Sequence, residues 1–204
     1  MSNLPPSHPQ ALTAIILAGG RSARMGRDKA LISIQGVPLL TRTCLLAQSC
    51  ADLVYILTRK PEQYRALVPE SCCLVPDSGR GPLVAFSQGL ALVETPWVLL
   101  LACDLPLLQA SDLWQWSGCL SQVSPHVTAL LPQRFDRWEP LCGFYRYRCL
   151  PGLQEFLRGG GQSFQRWLDQ QLVQELPVPN LQALFNCNTP ADWKQVTELL
   201  KLQE

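Results

Sequence analysis

The chain has 204 residues, 47% of them hydrophobic and 16% charged, with a formal net charge of +1. That length suits one domain built on a sheet covered on both faces, and that composition excludes a disordered chain. The near-neutral balance argues against a nucleic-acid binder, and no run approaches the ~18 apolar residues of a membrane span.

Residues 1–10 carry two tandem prolines and no apolar centre, so they read as a flexible lead-in and not a signal peptide, with the domain proper over 11–204. The nine cysteines are odd in number, lack any Cys-x-x-Cys spacing and include the vicinal pair Cys72-Cys73. They are expected to be reduced, small core residues of a cytoplasmic protein. His8 and His126 offer no metal cluster.

The first predicted strand, Leu12–Leu17, runs straight into Ala18-Gly19-Gly20, then Arg21, Arg24, Gly26 and Lys29. The glycines let backbone N–H groups face an anion, and Arg24 and Lys29 bring positive charge to the same place. This is the pattern of a triphosphate site at a strand end. It is not a P-loop, because Ala30 follows Lys29, and five residues part Gly20 from Gly26, which excludes a dinucleotide fingerprint.

A helix is expected over Pro38–Cys50, strands over Leu53–Leu57 and Cys72–Val75, and a helix over Leu83–Val93. Between the last two lies Asp77-Ser78-Gly79-Arg80-Gly81-Pro82, with proline suited to the first helical turn. The strand Trp97–Leu101 is apolar throughout and delivers Asp104, the only carboxylate near its end. One carboxylate can hold Mg²⁺ on a triphosphate; on position alone, capping the following turn explains Asp104 equally well. Further along, Leu113–Leu120 reads as helix, Val127–Leu131 and Leu141–Tyr147 as strands, and Cys149–Arg158 and Gln162–Gln171 as helices parted by Gly159-Gly160-Gly161, read as a plain helix stop. Near the end, Asn186 and Asn188 alternate onto one side of an extended segment before Thr189-Pro190, a helix cap with Asp192 three residues on. Fully apolar strands separated by helices predict an α/β, Rossmann-like single domain with a mostly parallel central sheet and helices on both faces.

Taken together, Leu17-Ala18-Gly19-Gly20-x-Ser22-x-Arg24-Met25-Gly26-x-Asp28-Lys29, Cys103-Asp104-x-Pro106, Gly81-Pro82-Leu83 and Asn186-x-Asn188-Thr189-Pro190 resemble the molybdenum cofactor guanylyltransferases, part of the wider nucleotidyltransferase superfamily. The resemblance implies transfer of GMP from GTP to molybdopterin with release of pyrophosphate. It also implies Arg24, Lys29 and Asp104 as the catalytic set, with Mg²⁺ on Asp104. Leu17, Ala18, Gly19, Gly20, Lys29, Asp77 and Asp104 would bind GTP, and Asn186 and Asn188 the molybdopterin. Proteins that deliver or accept the cofactor are the other implied partners. The family often ends its second strand with a nucleotide-binding asparagine; here the matching position is Leu57, with Thr58 and Arg59 next to it. Gly19 resembles the guanine-using branch, since cytosine-using relatives tend to have alanine there. A molybdopterin cytidylyltransferase is therefore the competing enzyme, and a non-catalytic GTP-binding carrier the competing class. Glu139-Pro140-Leu141 also resembles the family, with Gly143 a place for close approach by substrate or by neighbouring backbone.

Overall fold

The computed structural model describes residues 11–19 and 28–201. The lead-in 1–10 therefore falls outside the described residues, as do Gly20 and Arg24 of the first loop. Strand β1 (Leu12–Leu17), apolar but for Thr13, is buried along nearly its whole length, as such a strand must be when both faces are covered. There follow a hairpin of β2 (Ser33–Ile34) and β3 (Val37–Pro38), α1 (Leu39–Gln48), β4 (Leu53–Thr58), the single turn α2 (Pro61–Tyr64) and β5 (Cys72–Pro76). Next come α3 (Pro82–Leu90), β6 (Trp97–Ala102), α4 (Ala110–Gly118) and β7 (Ala129–Leu131). A second hairpin, β8 (Gln133–Arg134) with β9 (Arg137–Trp138), precedes β10 (Cys142–Arg146), α5 (Leu150–Arg158), α6 (Phe164–Leu168), β11 (Val173–Glu175) and α7 (Pro190–Lys201).

Seven strands form the main sheet in the order β11-β7-β10-β6-β1-β4-β5. Strands β6, β1, β4 and β5 are mutually parallel, while β10 runs antiparallel between β6 and β7. The predicted α/β, mostly parallel architecture is thus the observed one. Apolar side chains pack on both faces: Leu40, Cys44 and Trp116 on one, Phe86, Tyr145 and Trp167 on the other. Within the second group the Phe86 and Tyr145 rings lie 4.7 Å apart. All nine cysteines are free thiols, and only Cys73 and Cys119 are not buried. No helix among the described residues is long and apolar enough to cross a membrane.

Several boundaries depart from expectation for identifiable reasons. Helix α4 starts at Ala110, ahead of Leu113, because the Asp112 carboxylate accepts the Gln109 N–H at 2.9 Å and the two residues cap reciprocally. Only Phe164–Leu168 of the expected Gln162–Gln171 is helical, with the Ser163 hydroxyl accepting the Arg166 N–H. The glycine triplet is the plain stop it was read as: Gly160 sits at φ +85° and its N–H reaches Leu157 at 3.0 Å. Gly143 faces β7 and not a ligand. A Cβ there would lie 2.7 Å from a Leu131 methyl and 2.8 Å from the Leu130 carbonyl oxygen, so the close approach is between strands.

Candidate functional site

Parallel register places four chain segments side by side. Leu17 of β1 pairs with Leu57 of β4 and Ala102 of β6, and Leu57 pairs with Val75 of β5. These four residues form one row across the carboxyl edge of the sheet. Two positions beyond each lies, in spatial order, Asp77, Arg59, Gly19 and Asp104. Because side-chain direction alternates with period two, a step of two keeps the same sense on every segment. All four residues line a single cleft of ≈ 580 Å³, together with Leu17, Ala18, Lys29, Asn186 and Asn188. Every described residue proposed from sequence is therefore brought to one place. The cleft opens where the chain moves from β1 to β4 on one side and to β6 on the other, the crevice in which open α/β sheets hold ligands.

Lys29 and Asp104 meet across 75 positions of sequence: Nζ stands 3.0 Å from Oδ2, with side chains 16% and 20% exposed. The same ammonium donates to Oδ1 of Asn188 at 2.5 Å. Asn188 is aimed there because the N–H of buried Cys187 donates to the Asp104 carbonyl at 3.0 Å, which fixes the C-terminal segment to the end of β6. Below it, Asp192 accepts the N–H groups of Asn188 and Thr189 at 2.8 Å each and the Thr189 hydroxyl accepts that of Asp192, completing the predicted cap. Those backbone donors, Asn188 first, hold the Asp192 carboxyl below the usual carboxylate range.

Lys29 is itself placed by Asp28, which sequence reasoning quoted in a motif but gave no role. Its Oδ1 caps the short turn Lys29–Leu31 through the Ala30 N–H at 3.2 Å. Oδ2 accepts the hydroxyl of buried Tyr64 at 2.7 Å and the Lys60 ammonium at 3.2 Å. Burial, then the Asp28 bond, pushes the Tyr64 hydroxyl well above the usual phenol range, so it remains a donor. Behind the cleft, burial pushes the Cys103 thiol up to about 12, which keeps it neutral beside Asp104.

The opposite wall is built by β4 and β5. The Asp77 N–H donates to the Thr58 carbonyl at 2.8 Å, and Asp77 Oδ1 accepts the Gly79 N–H at 3.0 Å. Arg59 spans this wall: one guanidinium nitrogen donates to the Gly19 carbonyl at 3.4 Å, and its stem lies against Gly79. Gly79 has φ +72°, and a Cβ there would lie 2.8 Å from Cδ of Arg59. From the sequence, Thr58 and Arg59 stand only as substitutes for the absent asparagine, and neither is assigned a role, because an arginine after a strand carries no signal of its own. Leu57, at that asparagine position, lines the cleft as an apolar surface.

A cation here would suit Asp104. The donor set is a hard carboxylate with an amide oxygen close by, and among the described residues no three His, Cys, Asp or Glu converge. Such an ion would draw its remaining ligands from phosphates and water, as Mg²⁺ does.

Residues 14–175 match the model of the MobA-like NTP transferase domain. A probable molybdenum cofactor guanylyltransferase of Trichormus variabilis is 56% identical over 182 residues, 89% of this chain and 88% of that one. A molybdenum cofactor guanylyltransferase of Pseudomonas putida is 32% identical, covering 92% and 97%. Among solved structures, the molybdopterin-guanine dinucleotide biosynthesis protein A of Archaeoglobus fulgidus superposes with a TM-score of 0.76 at 21% identity, covering 93% and 98%, a likeness of fold.

Proposed function

This chain belongs to the MobA-like NTP transferase family, and on that premise we infer that it transfers GMP from GTP to molybdopterin. An oxygen of the molybdopterin phosphate attacks the α-phosphorus, a new P–O bond forms, and the α–β bridge breaks with its electron pair leaving on pyrophosphate. The observation that carries this reading is the gathering of Gly19, Lys29, Asp77, Asp104, Asn186 and Asn188, drawn from four distant motifs, on one cleft.

The nucleophile is already an anion, so no general base is needed. The work is to bring two anions together and to neutralise charge on the departing pyrophosphate. Asp104 is the residue that would hold Mg²⁺, whose charge would neutralise phosphate oxygens. Lys29 is poised to exchange part of its contact with Asp104 for the β- and γ-phosphates, with Arg24 assigned to the same charge. The backbone of Leu17, Ala18 and Gly19, which lines the cleft, is assigned to base and ribose together with Gly20, and Asp77 to the nucleoside end. Asn186 and Asn188 present amides, which both donate and accept, to the pterin side. The free thiols agree with a cytoplasmic setting.

The test is isotopic. With molybdopterin and Mg²⁺ present, label in the α-phosphate of GTP is expected to move into a pterin dinucleotide, and label in the γ-phosphate into pyrophosphate. Label from both positions remaining in unreacted GTP, although GTP binds, would overturn guanylyl transfer and leave the cytidylyl-transfer and carrier readings.

A further inference from the structure

We propose that Arg59 reads the guanine base, donating to its O6 and N7; this rests on the guanylyl-transfer reading and names the residue behind its base preference. Three observations converge on it. First, Arg59 occupies the same step beyond the sheet row as Gly19, Asp77 and Asp104, and it lines the same cleft. Second, those four positions are spread over four adjacent strands. At about 4.8 Å per strand, β5 and β6 lie roughly 14 Å apart across β4 and β1, enough for a nucleotide laid from metal-side phosphate to base. If the phosphates lie by Lys29 and Asp104, the base falls against Arg59 and Asp77. Third, the guanidinium is oriented but not consumed. Its stem rests on Gly79, where no side chain fits, and among the described residues its 3.4 Å bond to the Gly19 carbonyl uses one of five N–H donors.

The chemistry then selects the ligand. Guanine offers two adjacent acceptors, O6 and N7, that match a guanidinium fork. Adenine replaces O6 with an amino donor, and cytosine lacks N7 and carries its O2 and N3 acceptors on a different edge, so neither offers the fork guanine's O6/N7 pair. The Asp77 carboxylate beside it accepts from the N1–H and amino group on the next edge of guanine. The apolar surface of Leu57 lies at this end, where an asparagine would otherwise contribute polar contacts.

The experiment is calorimetric binding of GTP, 7-deaza-GTP, ATP and CTP, each with Mg²⁺ and without molybdopterin, to the intact chain and to Arg59→Lys and Arg59→Ala. Melting of the unliganded variants checks folding, and the lysine variant keeps the charge while removing the fork. The wild type is expected to bind GTP about tenfold more tightly than 7-deaza-GTP. Both variants should bring that ratio towards one while leaving ATP and CTP affinity unchanged. A ratio that survives in both variants overturns the proposal. Equal weakening of all four nucleotides also overturns it, leaving Arg59 as a brace for the Gly19 loop. Those outcomes leave guanylyl transfer intact if the wild type still converts GTP. A wild type that binds CTP in preference to GTP, and transfers CMP, would instead remove the parent reading together with this one.

Discussion

Replacing Lys29 with alanine separates a catalytic cation from a structural one. Its ammonium is 3.0 Å from Asp104, and both side chains are largely but not fully covered, at 16% and 20% exposure. At an effective dielectric of about 20, the gross attraction at that distance is about 5–6 kcal/mol. Desolvation, side-chain ordering and water at the cleft mouth offset most of it, leaving on the order of 1 kcal/mol of net stability. A loss of that size lowers the melting temperature of a domain this long by only about 2–4 °C. Turnover should respond far more. Losing one donor aimed at charge that develops in the transition state costs about 10²–10³-fold in kcat. Removing Lys29 also frees Asp104 of its competing cation, so Mg²⁺ should bind the unliganded variant more tightly. The assay pairs thermal melting with single-turnover pyrophosphate release at saturating GTP, and adds a Mg²⁺ titration. Near-normal turnover would refute the role of Lys29, and a collapse of the fold matching the loss of activity would make the residue structural.

Other perturbations follow from the same geometry. Asp104→Asn keeps the shape but removes the anion, so half-maximal activity should need much more Mg²⁺; an unchanged Mg²⁺ dependence would count against its holding the metal. Gly143→Ala forces a Cβ within 2.8 Å of a backbone carbonyl oxygen and should cost about 1–3 kcal/mol on thermal unfolding, with the KM for GTP unaltered in the folded protein. For Asp192 the sign is fixed by its lowered carboxyl. Its contribution is complete above the unfolded value of about 3.9 and is lost as pH falls through the lower folded value. Asp192→Asn should therefore flatten the acid limb of a stability profile, and an unchanged acid limb would deny the cap that role.

The sequence carried the parts of this structure that depend on local pattern. β6 is apolar at every position and β1 at all but Thr13, and only burial on both faces accommodates that. Asp104 and the asparagine pair were visible because polar residues follow such strands or alternate in an extended segment. The direction of β10 was not visible, since Cys142–Arg146 reads the same in either sense and only its partners reverse it. Nor was β11, whose Gln174 and Glu175 are exposed at the sheet edge and lack apolar alternation. Within the cleft, the pairing of Lys29 with Asp104 comes from the Asp28-capped turn set against the end of β6 and not from spacing along the chain. Arg59 was visible only as a neighbour of the missing asparagine, with no role attached. Its meaning lies in the row formed by Leu17, Leu57, Val75 and Ala102, and a row across strands cannot be read from one segment.

The central claim is nucleotidyl transfer with guanine preference, and pyrophosphate release tests it most directly. The wild-type chain would be supplied with Mg²⁺ and molybdopterin, and GTP, CTP and ATP compared at equal concentration. The account predicts release with GTP and little with the other two, dependent on molybdopterin. Release with CTP in preference to GTP, or none from any nucleotide that binds, would contradict it.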